Sequence, residues 1–153
     1  MDIALLYKGK GMLDRFEKYG TEALKMLLMN GRNSEAAQWA VEMISEDTCS
    51  EKGSKLLIRA ANNTARSGDH QTAFDIFNYI RKNSPSAAIS LKASISLARL
   101  LAKSMGNPDH ALLVLDEAKR QDIDPRWQES IAEVESGIRR SSAPKLEGEI
   151  PTL

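Results

Sequence analysis

Cysteine is nearly absent from this chain. The single Cys49 excludes an internal disulfide and any zinc site made of clustered cysteines, and it fits a reducing compartment, so a cytoplasmic location is expected. Aromatic residues are scarce as well, at 5% of the sequence. Ala, Leu, Ser, Lys and Glu dominate instead, a balance that favours helices packed through small side chains over a β-sandwich. Neither sign of charge is in excess: 21 Lys and Arg face 21 Asp and Glu. No overall positive field draws in a polyanion, and nucleic acid is not an expected partner. Long apolar runs are missing too, none approaching the roughly 18 residues that span a bilayer, so no membrane insertion is expected. Met1 to Tyr7 is too short, and lacks the basic start, for a signal peptide. Ile3-Ala4-Leu5-Leu6-Tyr7 followed by Lys8 and Lys10 is also the pattern of the cut end of a membrane helix, which would make the chain part of a membrane-linked parent protein.

What is present is an internal repeat. The 153 residues suit one compact domain. Within them Gly is followed five positions later by Ala three times: Gly31 to Ala36, Gly68 to Ala73 and Gly106 to Ala111, with the glycines 37 and 38 residues apart. Each glycine ends an amphipathic stretch and precedes residues that can cap a new helix: Asn33 and Ser34, Asp69, and Asn107 with Pro108 after it. Each unit therefore reads as a helical hairpin. In its second helix, residues recur at the spacing of one helix face: Ala36, Ala40, Met43; Ala73, Phe77, Ile80; Ala111, Leu115, Ala118. Ser84-Pro85 and Asp124-Pro125 close the second and third units, and Asp124 can cap a last helix from about Pro125 to Arg140. Residues 1–10 are expected to be an N-terminal extension or truncated junction, 11–140 the helical-repeat domain, and 141–153, which lack periodicity, a disordered tail.

In the unit from Leu57 to Pro85, Ala61, Gly68, Ala73, Phe77 and Pro85 occupy the small, turn, small, aromatic and proline positions of a known pattern. The third unit keeps Gly106, Ala111 and Ala118 with Pro125 displaced, and the first keeps Gly31 and Ala36. Over residues 11 to 140 the chain resembles the tetratricopeptide repeat family, with a period somewhat longer than that family's roughly 34 residues. The resemblance implies an all-α fold, a right-handed α-α superhelix of about three helix-hairpin repeats plus a C-terminal capping helix. It also implies a scaffold, a chaperone or the soluble domain of a larger protein.

Stacked hairpins curve, and their first helices line the concave side, so a stripe of first-helix residues is the expected binding surface. Register from the glycines places Lys18, Thr21, Lys25 and Leu28 level with Lys55, Ile58, Asn62 and Ala65, and with Ala93, Ser96, Leu100 and Lys103. Four lysines and no acid in that stripe suit an acidic peptide or partner subunit, with Lys18, Thr21, Lys25, Lys55, Ile58, Asn62, Ser96, Leu100 and Lys103 as the peptide-binding residues. Family members that grip acidic C-termini use lysine, asparagine and arginine. Lys25, Asn62 and Arg59 are of those types, but Ala93 and Leu97 stand where the third unit would supply its cations.

The other chemically suggestive residues have structural explanations. Asp69-His70 and Asp109-His110 sit in the turns between paired helices one unit apart, where an acid caps a helix or meets its dipole. Cys49 lies in a loop among acids that would raise its pKa and blunt its reactivity. Lys8-Gly9-Lys10-Gly11 lacks the spacing and the preceding strand of a phosphate loop. Trp39 and Trp127 suit either an interface or burial against a neighbouring helix, and Met26-Leu27-Leu28-Met29 suits core. The expected function is protein–protein interaction without catalysis, cofactor or metal. An RNA-binding helical array is the alternative, and a hydrolase or metal enzyme using His70 and His110 the second. A homodimer is left open, since the weak first unit could be completed by another copy.

Overall fold

The computed structural model describes residues 13–121 and 123–142. Among them are seven α-helices and no strand: α1 (Leu13–Met29), α2 (Asn33–Ser45), α3 (Glu51–Arg66), α4 (His70–Asn83), α5 (Ala87–Lys103), α6 (Pro108–Lys119) and α7 (Pro125–Ser142). The all-α expectation holds. None of these helices is long and apolar enough to cross a membrane. The segments Ile3 to Tyr7 and Lys8 to Gly11, and the tail beyond Ser142, lie outside the described residues. Helix α7 continues two residues past the expected stop at Arg140, through Ser141 and Ser142.

The repeat glycines do what their spacing predicts. Gly31, Gly68 and Gly106 have φ of +67°, +96° and +63°, the left-handed conformation that closes a helix and that glycine adopts without a side-chain penalty. New helices then start on side-chain caps, in which the Ser50, Asp69, Ser86 and Asn107 side chains accept from the backbone N–H groups of Gly53, Thr72, Ile89 and His110. Asp124 accepts from the Arg126 N–H at 2.9 Å, opening α7. One cap departs from expectation: α2 has Arg32 at its N-cap, and no side chain there accepts from the helix's backbone N–H groups. Asn33 is instead already helical, and its Oδ1 accepts from Asn63 Nδ2 at 3.1 Å, tying the α2 start to α3.

All nine residues assigned to the second-helix packing faces are buried, Ala36, Ala40 and Met43 with none of their surface exposed. Each helix packs on its successor, and α1 meets α3, α2 meets α4, α3 meets α5, and α5 meets α7. Helix α5 sits deepest, with Leu91, Ala93, Leu97, Ala98 and Leu101 at or below 2% exposure. Each leucine-sized side chain so buried contributes roughly 1.5–3 kcal/mol. Within the first hairpin, Trp39 donates its indole N–H to the Gly20 carbonyl at 2.9 Å and packs on Phe16, ring centroids 5.8 Å apart. It is a core residue that locks α1 to α2.

Candidate functional site

Helices α1, α3, α5 and α7 form one row, each touching the next of that set; α2, α4 and α6 alternate with them as the other row, in which only the backbones of α2 and α4 come close. On the first-helix row the structure divides the predicted stripe. Lys18, Lys25, Lys55 and Lys103 are exposed, Ile58, Asn62 and Ser96 half-buried, and Thr21 and Leu100 buried at 4% and 6% exposure. Leu28 and Ala93 are buried too. The physical reason is the spacing itself: offsets of three and seven straddle the edge of a helix. Positions 18 and 25 face outward while 21 and 28 turn inward, and Thr21 Oγ1 comes within 3.6 Å of where a Cβ on Gly53 of α3 would lie. Thr21 and Leu100 are thus packing residues and are withdrawn from the binding surface.

The stripe positions hold no acid, but acids stand beside them. Glu22 of α1 accepts from Lys52 of α3 at 2.6 Å, and Glu51 pairs with Lys55 at 3.2 Å. The bond from Lys52 holds the Glu22 carboxyl below the usual carboxylate range, with Lys25 and Lys18 adding to the effect. Charge over α1 and α3 is therefore interleaved. These pairs were hidden because the acids occupy helix positions outside the aligned offsets.

Farther along the same row the balance changes. Arg99, four residues before Lys103 on α5, and Arg140 of α7 join Lys103 around a cleft between the two helices. The sequence pattern picked out Lys103 but neither arginine, although a glycine in the interior of a predicted helix, Gly137, was a usable signal. A larger open groove of about 800 Å3 lies on the opposite row, between α2 and the end of α3 with the start of α4, with Ala37, Gln38, Val41 and Thr72 in its walls.

The remaining candidates fall into packing or capping roles. Asp69 caps α4, and the hydrogen bonds from Thr72 lower its pKa. The His110 ring lies against Phe74, centroids 5.9 Å apart, and His70 Nδ1 is buried without a hydrogen-bond partner. Among the described residues no three His, Cys, Asp or Glu side chains gather as a metal ion would require. Cys49 Sγ lies 3.0 Å from Ser54 Oγ. Burial pushes its thiol pKa up more than the Glu17 and Asp47 carboxylates do, so the expected direction stands with a different leading cause. Tyr79 donates to Asp47 Oδ1 at 2.8 Å, and burial followed by that bond holds its phenol above the usual range. Trp127 is half-buried against the core, and the Met26–Met29 run splits, Leu27 and Leu28 inward, the two methionines outward.

Comparison with protein-family models, with curated proteins and with solved structures finds no match to this chain.

Proposed function

We propose that this chain is a protein-interaction module of the tetratricopeptide-like kind, a right-handed α-α superhelix that holds a peptide or partner subunit on its first-helix face. It would work as a scaffold, a chaperone or the soluble part of a larger protein, in a reducing compartment such as the cytoplasm, where a free Cys49 is stable. The observation that carries this reading is the unequal closeness of the two rows. Successive first helices touch at every step from α1 to α7, whereas the second row touches from α2 to α4 but no α-carbon of α4 lies within 8 Å of one of α6. Side chains span that gap, Phe74 to His110 and Arg81 to Glu117. A stack whose rows differ in this way bends toward the closer row and makes it concave, the side on which solenoids collect ligands.

A photo-crosslinking amino acid placed singly at Lys25, Arg59 and Arg99 on the first row, and at Gln38, Asp75 and Leu113 on the second, tests the face directly in lysate of the source cell. Partner adducts confined to the first three positions support the reading. Adducts confined to the second three transfer the interaction to the row that carries the larger groove.

A further inference from the structure

Between α5 and α7 the first-helix face opens into a cleft of about 340 Å3, within the roughly 300–1,000 Å3 typical of small ligand sites. Ala102, Val134 and Ile138 give it an apolar lining. Its charged residues are Arg99 and Lys103 from α5, and Arg140 and the exposed Glu133 from α7. None of the three cations makes an ion pair with a described residue. Arg140 has only a long bond from Nε to the Ser136 carbonyl, 3.4 Å. Lys52 and Lys55 of α3, by contrast, are paired with Glu22 and Glu51. In a chain whose charges balance overall, three unpaired cations against one acid form a local positive field over an apolar floor.

Gly137 supplies an independent observation. It lies in the interior of α7, where glycine weakens a helix. A Cβ built on it meets nothing within 4 Å, and its φ is not positive. Neither close packing nor a turn accounts for the residue. What its missing side chain does is leave open the wall of the cleft that it lines.

Resting on the interaction reading above, we propose that this cleft is an anchor site for an acidic peptide of the partner. An aliphatic side chain enters over Ala102, Val134 and Ile138, and aspartate or glutamate residues beside it on the peptide meet Arg99, Lys103 and Arg140. Arginine forks suit carboxylates through paired N–H donors, and lysine adds a mobile point charge. The apolar floor gives the short-range selection that charge alone lacks.

The test is fluorescence anisotropy of the full chain with a labelled hexapeptide, Glu-Leu-Glu-Glu-Ile-Glu, beside the same peptide with serine replacing Leu and Ile and beside a hexanucleotide RNA. The native chain is expected to prefer the first peptide over both. The double variant Arg99→Glu/Lys103→Glu is expected to lose about tenfold or more in affinity, as for removed charge-assisted bonds. Gly137→Leu, which fills the cleft without touching a charge, is expected to lose a similar factor while circular dichroism shows an intact fold. Lys82→Glu/Arg120→Glu on the exposed second-helix row is expected to stay within about twofold of native, since separated sites act independently. Absence of binding at about millimolar peptide, native affinity in Gly137→Leu, equal loss in the second-row variant, or preference for the RNA would each overturn the proposal. If the cleft fails while cross-links still map to Lys25 and Arg59, the face survives without this anchor. Cross-links confined to the second row would remove both.

Discussion

At Thr21 a hydroxyl is buried at the α1–α3 contact with no hydrogen-bond partner, and Glu17 Oε1, one turn earlier, shares that condition. A buried polar group without a partner costs free energy that an apolar isostere does not. Thr21→Val is therefore expected to stabilise the chain by about 1–2 kcal/mol, read as a higher urea midpoint; a lower midpoint would mean that the hydroxyl is bonded. Trp39 stands at the other extreme, with its ring packed and its N–H used. Trp39→Phe should cost about 1 kcal/mol for the lost bond to Gly20 and Trp39→Ala about 3–5 kcal/mol in the same measurement. Tyr79 gives the pH dependence. Its phenol pKa is raised on folding, so the folded chain holds that proton more tightly than the unfolded chain. The stability it contributes is complete below the ordinary phenol pKa, about 10, and is lost as pH rises above it. Thermal scans at alkaline pH should show this slope in the native chain and its reduction in Tyr79→Phe.

At the scale of single helices, the glycines divide into two kinds whose substitution should act in opposite directions. Gly68, at φ +96° and with nothing within 4 Å of a Cβ, is held by conformation alone. Gly68→Ala should cost about 1–2 kcal/mol, the penalty of a side chain in left-handed backbone. Gly137 has equal space but ordinary helical backbone, so Gly137→Ala should gain up to about 1 kcal/mol. Paired denaturation curves check both, and a loss on Gly137→Ala would mean that the helix is already constrained there. These elements were legible in the sequence because their causes are local. A glycine, a capping oxygen and an apolar face at offsets of three and four lie within a few turns of one another, which is why the ends of α3, α4, α6 and α7 fall close to expectation. The α2 start was not legible, because Asn33 answers to Asn63 some thirty residues away. The binding stripe was only half legible for a related reason. Which side of α1 faces water is decided by where α3 lies against it, and Thr21 is buried there while Lys18 is exposed.

Among the described helices, contacts run between neighbours and next-but-one neighbours, so the interior helices have support on both sides and the outermost described helices on one. Amide exchange should follow that order, with the backbone protons of α4 and α5 slower than those of α1 and α7. Uniform protection along the chain would instead mean a single cooperative unit. The Lys119–Glu135 ion pair joins α6 to α7, and hydrogen bonds from Lys119 and then Arg139 keep the Glu135 carboxyl below its ordinary range. Its contribution is present above the ordinary glutamate pKa and is lost as acid protonates it. The Cα distances between rows and the cleft between α5 and α7 are properties of assembled helices, which explains why Arg99 and Arg140 escaped a pattern read one unit at a time. The same neighbour-only packing bears on how the chain reaches its folded form. None of the described helices waits for a described segment at the far end of the sequence, so loop closure costs little at each step, contact order among them is low, and folding belongs in the microsecond-to-millisecond regime of helical proteins, with each helix able to dock as soon as its predecessor has formed.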